Sequence, residues 1–274
     1  TRLILWAFVP TMVILGAVAL FTFYTYWQVT ESLVMERNRE LTRLTARQIA
    51  VEMTTYADVL DRIASLRDIV RFDPTYQQTM LRWSAPSLRV FDGGVVVLNT
   101  QGIVTAADPR RLDAVGQDWS NRSYFRLRAA EPRNLLLSDI EYDGPDGRPV
   151  VAVALPIRGE RNAVVGVIAG LFLLDDDQPN AFYRSLLKYH VRPESHLYLV
   201  DSQARSLDHL RAERIGQEDP TAPPVAAVLA GESGALRTRT RKEGDIIASY
   251  APVPDSTWGL IEWERWDAIT AQST

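Results

Sequence analysis

From Leu3 to Thr30 no side chain is charged, and Arg2 and Glu31 close the run on either side. These 28 positions (3 to 30) exceed the roughly 20 residues that cross a bilayer's hydrocarbon core. Tyr24, Tyr26 and Trp27 gather at the end of the run, where rings with a polar edge settle at headgroup level. The run is too long for the apolar region of a cleaved signal peptide, which has about 7–15 residues and a small-residue cleavage site. The pattern predicts a retained N-terminal membrane helix over residues 1–30. Arg2 weakly favours a cytoplasmic N-terminus, leaving the remainder outside the cytosol.

Beyond the run no Gly or Pro occurs until Pro74. Ile49, Met53, Tyr56, Leu60, Ile63 and Ile69, with Leu66 alongside, recur in helical steps. One helix over 31–72 is expected, reaching roughly 60 Å at 1.5 Å per residue. Its apolar stripe either packs on the domain that follows or pairs with its twin in a dimer. Asp73-Pro74 ends it, and a short helix over Thr75 to Trp83 precedes Pro86.

The texture then changes to strands. Val95 to Leu98 and Ile103 to Ala106 flank Gln101-Gly102 and read as a hairpin. Helical sequence follows from Ser120 to Ala130. Ser138 to Tyr142, Val150 to Pro156 and Ala163 to Leu174 read as strands, separated by turns at 143–147 and 159–162. These make an antiparallel sheet of about five strands. After a connecting helix, Asn180 to His190, the design repeats. Ser195 to Asp201 is a strand, Pro223 to Ala230 a helix stopped by Gly231, and Ala235 to Thr240, Ile246 to Val253 and Trp258 to Glu264 are strands. The expected class is α+β, with two related sheet modules.

Composition then narrows the function. The net charge of −4 and the absence of a polybasic run exclude a nucleic-acid face. With no cysteine there is no disulfide, thiol catalysis or Cys-ligated zinc. His190, His196 and His209 lack metal-ligand spacing, and Asp175-Asp176-Asp177 lacks the alternation of a calcium loop. Neither a metal nor a cofactor is expected. Gly231-Glu232-Ser233-Gly234 falls short of a nucleophile elbow, and no phosphate-binding loop occurs, so an enzyme is not expected.

The order of elements resembles the double Cache sensor domains of bacterial transmembrane receptors. Val115-Gly116-Gln117-Asp118-Trp119-Ser120-Asn121-Arg122-Ser123-Tyr124-Phe125 is similar to the family's G-x-D-x-S-x-R-x-Y-F stretch. Tyr142 to Val150 is similar to its Y-x-D-x-x-T-G-x-P-V turn, Val165 to Gly170 to the strand closing the distal module, and Pro252 to Leu260 to the close of the proximal one. The resemblance implies two PAS-like antiparallel-sheet modules: a stalk and connector over 31–85, a membrane-distal module over 86–178 and a membrane-proximal module over 179–267. Residues 268–274 would lead to a second membrane helix beyond the sequence. It further implies an extracytoplasmic receptor region in the bacterial inner membrane. Such a region binds a small molecule in the distal module and drives a cytoplasmic histidine kinase, chemoreceptor or cyclase output. The alternative is an ectodomain that senses through a periplasmic protein partner.

The candidate ligand site follows. Arg122 supplies a permanently charged two-pronged donor for a carboxylate. Trp119, Tyr124 and Phe125 supply apolar walls and one oriented hydroxyl. Asp139, Glu141, Tyr142 and Asp143 form a second wall, with an acid for a ligand amine. Two bland readings stand beside these: Tyr124 and Phe125 as core with Arg122 serving Asp118, and Asp143 and Asp146 as acids of a solvated turn. The sequence departs from the family's amino-acid-binding subset, which carries Arg-x-Trp-Tyr and a second acid near Leu171. The expected ligand is therefore a carboxylate or small polar molecule as readily as an amino acid.

Overall fold

A computed structural model of the chain describes residues 2–71, 73–130, 136–174, 181–188, 195–207, 215–217, 219–240 and 244–271. Of residues 2–31, the side chains described are those of 12 and 15–22. Among the described residues no helix is long and apolar enough to cross a membrane, and most side chains of the expected span lie outside them.

Helix α1 runs from Arg2 to Ala64, 63 residues and roughly 95 Å. Ala46, Ile49, Met53, Ala57, Leu60 and Ile63 are buried along one stripe, spaced by three and four. The domain is thus one partner of the stripe. The helix stops earlier than the periodicity predicts. Leu66 adopts an extended backbone (φ −64°, ψ 135°) and leaves the core, and Ile69 re-enters it from the short α2, Arg67–Val70. Helix α3, Pro74–Leu88, starts as expected: Asp73 accepts the amides of Thr75 and Tyr76, and Pro74 needs no donor. It continues through Pro86, which the sequence reading placed outside. Gln77 explains the tight packing of α2 on α3. It is fully buried, donates to the Ile69 carbonyl and accepts the Thr105 hydroxyl.

The first sheet contains β1 (Gly94–Asn99), β2 (Val104–Ala107), β3 (Leu136–Leu137), β4 (Val150–Arg158) and β5 (Val164–Leu173), in the order β2-β1-β5-β4-β3. Helix α4, Ser123–Ala130, lies in the β2–β3 crossover. The second sheet contains β6 (Ser195–Val200), β7 (Ser206–Leu207), β8 (Gly234–Thr240), β9 (Gly244–Pro252) and β10 (Gly259–Arg265), in the order β7-β6-β10-β9-β8. Helix α5 (Ala181–Leu187) joins the modules, α6 (Pro223–Leu229) takes the place of α4, and α7 (Trp266–Ala271) ends the described chain. Every strand pair is antiparallel.

The two topologies are the same, and so is their turn chemistry. Asn99 Oδ1 accepts the amides of Gln101 and Ile103; Asp201 Oδ1 accepts those of Gln203 and Arg205. Gly116 donates to the Val104 carbonyl while Gln117 accepts from Val104; Gly216 and Gln217 do the same with Ser206. One core runs along α1 through both modules, from Val97, Val153 and Phe172 to Leu199, Leu260 and Trp258. Each fully buried aliphatic side chain there contributes about 1.5–3 kcal/mol.

One predicted strand is largely absent. Over Ser138 to Tyr142 the ladder to β4 is reduced to the Ser138 amide donating to the Ala152 carbonyl and a single bridge from Glu141 to Val150. The Ser138 hydroxyl accepts the Ala152 amide and donates to the Asp139 carbonyl, replacing ladder bonds with side-chain ones. That frees residues 139 and 140 to turn toward the second module.

Candidate functional site

The far face of the first sheet, away from α1, is covered by the crossover between β2 and β3. Trp119, Tyr124 and Phe125 pack there on Val96, Val150, Ala152 and Leu171. The loop leading in is pinned: Gly116 has φ +87°, a conformation that favours glycine, and Trp119 donates to the Gly102 carbonyl. Helix α4 begins only at Ser123. Arg122 therefore stands before the first turn, which lets it converge with Tyr124 although the two would diverge on a regular helix.

The ion pair of Arg122 is not with Asp118, which only its charge reaches. Arg122 pairs with Asp143, Nη2 to Oδ1 at 2.5 Å, joining positions from the two candidate walls. Asp143 is buried, so it is not a solvated-turn acid. Burial pushes its carboxyl up to about 6, with the Glu141 charge adding to the effect and Arg122 and Arg111 opposing it. Tyr124 is fully buried; desolvation first, then the charges of Asp143 and Glu141, raise its hydroxyl well above its ordinary range. Three polar atoms in this group lack a hydrogen-bond partner among the described residues: Arg122 Nε, the Tyr124 hydroxyl and Asp143 Oδ2. A buried polar atom left without a partner costs about 1–3 kcal/mol. Three of them at one place form a cluster of donors and acceptors suited to a small polar molecule.

The other predicted residues divide. Trp119 forms a wall, its indole already donating to Gln117 Oε1, and Phe125 is core beside it. Glu141 Oε1 caps α4 by accepting the Ser123 amide at 2.8 Å. Asp139 turns away from the cluster: its carboxylate accepts the amide and hydroxyl of Ser202 in the second module. Tyr142 is exposed, with its hydroxyl lying close to Gly216 of that module. Asp175, Asp176, Asp177, His190 and His209 lie outside the described residues, as does the side chain of Asp146. No group of metal-ligating side chains occurs among the described ones.

Arg111 was not foreseen. Its side chain is buried, sits 5.5 Å from the Trp119 ring centroid and pairs with Asp113. Its charge reaches both Asp143 and Tyr124. Arg110-Arg111 offers no local hint of which arginine turns inward. The answer lies across the fold, at Gly94, where an added Cβ would meet Arg111 Cγ at 2.4 Å.

Among the described residues the second module has no such cluster. Matching the two Gly-Gln turns places Ala222, Pro224 and Val225 where the first module has Arg122, Tyr124 and Phe125. There Val225 and Val228 fill the sheet face against Tyr250 and Ile261.

A family model described as Cache domain matches residues 28–272. No curated protein matches by sequence. Solved structures similar in fold include the following three. The ligand-binding domain of the Pseudomonas fluorescens chemoreceptor CtaA, in complex with L-isoleucine, aligns with a TM-score of 0.69 at 14% identity, over 89% of this chain and 98% of that one. The extracellular domain of a histidine-kinase candidate, rpHK1S-Z16, aligns at 0.67 and 19% identity, over 89% and 98%. The ligand-binding domain of the Pseudomonas aeruginosa PAO1 amino acid chemoreceptor PctB, in complex with L-Arg, aligns at 0.64 and 17%, over 87% and 97%.

Proposed function

Because this chain belongs to the Cache domain family, whose members are extracytoplasmic sensors of membrane receptors and not catalysts, we propose that its first module binds a small carboxylate-bearing molecule among Arg122, Tyr124 and Asp143. The observation that carries the reading is the trio of orphaned buried polar atoms at that point. Arg122 grips the ligand carboxylate through its guanidinium. The Tyr124 hydroxyl supplies a directed hydrogen bond. Asp143 accepts from a ligand donor, so a zwitterion satisfies both members of the ion pair at once. The amino-acid complexes of CtaA and PctB are consistent with that class. The apolar stretch near Leu171, where the resemblance would place the amino-acid subset's second acid, leaves Asp143 as the anchor for an amine.

The signal passes to a membrane through α1. Met12, Leu15, Val18, Leu20 and Phe21 are exposed on that helix, a surface suited to lipid rather than water. Leu33, Leu44 and Val51 are exposed too, and each lies nine residues, two and a half turns, from a buried residue: Thr42, Met53 and Leu60. They therefore form an apolar strip opposite the domain, suited to a second copy of the chain in a receptor dimer of the bacterial inner membrane. Differential affinity of the ligand for two arrangements of this assembly is what drives the output.

A thermal-shift screen of amino and carboxylic acids on the full chain in nanodiscs tests the site. A ligand raises the melting temperature as RT ln(1+[L]/Kd) requires, and Arg122→Met removes the shift while keeping the fold. A ligand that shifts Arg122→Met as strongly as the parent overturns the assignment. A partner protein recovered in place of any ligand favours indirect sensing.

A further inference from the structure

Residues 138–143 touch the candidate ligand cluster on one side and the second module on the other. Toward the cluster, Asp143 pairs with Arg122, Glu141 Oε1 accepts the Ser123 amide, and the Asp139 amide donates to the Ser123 hydroxyl at 3.1 Å. Ser123 lies between Arg122 and Tyr124, so the start of α4 is held by this segment. Toward the second module, the Ile140 amide donates to Asp201 Oδ2 at 3.1 Å. The Asp139 carboxylate accepts the Ser202 amide at 3.0 Å and its hydroxyl at 2.8 Å. The Ser138 carbonyl accepts the Trp258 indole at 2.8 Å.

The partners in the second module are equally constrained. Asp201 is fully buried and ordered by the amides of Gln203 and Arg205 and by the Arg205 guanidinium. Trp258 is buried and opens onto β10, the strand at the middle of the second sheet. The segment also has little ladder of its own, with β3 only two residues long, one backbone bond from the Ser138 amide to Ala152 and one bridge at Glu141. It is thus bonded on its flanks more than within its sheet, and it can follow either neighbour.

We propose that residues 138–143 are a transmission strap, carrying the state of the Arg122–Asp143 pair to the β6–β7 turn and Trp258 of the second module. The proposal rests on the reading that this pair holds the ligand. Asp139 and Glu141 are positioning residues in it. A ligand that separates Asp143 from Arg122 alters the pull on residue 143, and the strap passes the change to Asp201 and Trp258. The second module packs on α1, so the change reaches the membrane-directed helix through that module as well as through the first. A contiguous run of bonds is a physical route, and a coupling measurement decides whether it carries energy.

Hydrogen exchange on the full chain in lipid nanodiscs provides that measurement without any ligand. Asp143→Asn breaks the ion pair; the rates to read are those of the Gln203 and Arg205 amides and the Trp258 indole. The expected result is acceleration by about fivefold or more, the lower end of coupling between linked sites. Asp139→Ala cuts the bonds to Ser202 while sparing all three reporters. In that background Asp143→Asn is expected to add much less. Unchanged reporters in Asp143→Asn overturn the proposal; an equal change in the Asp139→Ala background, where the Ile140–Asp201 and Ser138–Trp258 bonds remain, overturns the role given to Asp139. Arg122→Gln and Asp139→Leu repeat the test should either first variant fail to fold. A ligand screen that comes back empty would sink the ligand reading and leave the exchange result standing, so the two failures are distinguishable.

Discussion

Tyr124→Phe separates a residue built for a ligand from one built for stability. The Tyr124 side chain is fully buried and its hydroxyl has no hydrogen-bond partner among the described residues. The ring packs with Trp119 and Phe125 on the first sheet, and phenylalanine keeps that packing. The substitution therefore removes a desolvated hydroxyl without opening a cavity. Relief of an orphaned polar group is worth about 1–3 kcal/mol. For a domain of this size 1 kcal/mol moves the melting temperature by about 2–4 °C. The expected outcome is a ligand-free protein more stable by at least about 2 °C, with weakened ligand binding. Differential scanning calorimetry on the chain without ligand checks the first half, and titration of any ligand found by screening checks the second. A melting temperature that falls would refute the reasoning. It would mean that the hydroxyl has a satisfying partner in the free protein, such as an ordered water, and that the cluster is structural.

The pH dependence has a definite sign. Asp143 titrates near 6 in the fold, against about 3.9 in an unfolded chain. Because the folded value is raised, the unfolded state loses its proton first as pH rises. This group's contribution to stability is greatest below about pH 4 and falls away through pH 6. Affinity for an ammonium-bearing ligand runs the opposite way, falling up to about tenfold per pH unit below 6, and Asp143→Asn should flatten the profile in calorimetric titrations. Leu44→Arg with Val51→Arg places charge on the exposed strip of α1; sedimentation equilibrium should show weaker self-association with unchanged melting, and an unaltered dimer would move the contact elsewhere. Gly170→Ala would bring a Cβ to 2.4 Å from the Phe91 ring, so a loss of about 1–3 kcal/mol in urea unfolding is expected. A neutral result would show that Phe91 yields.

Local periodicity and turn chemistry carried most of the architecture. Steps of three and four identify the α1 face from Ile49 to Ile63 because a helix repeats every 3.6 residues whatever surrounds it. Gly102 and Gly231 mark their turns because their positive φ favours glycine. The repeat of strand, turn, helix and three strands predicted two similar sheets for the same reason. Arg122, Tyr124 and Asp143 were legible as candidates from their chemistry and from the resemblance around them, and the fold brings the three together. Packing decided the rest. Nothing within the stalk's own pattern shows that Leu66 leaves the core, or that α3 runs through Pro86. Asp139 and Asp143 sit four residues apart in one acidic stretch, yet one binds Ser202 and the other Arg122. Arg110 and Arg111 are adjacent, and only the second fits beneath Gly94. Charge type and spacing are properties of a chain read in order. Which acid meets which cation depends on surfaces brought together from positions 21 to 63 residues apart, and that distance is closed only by the tertiary fold.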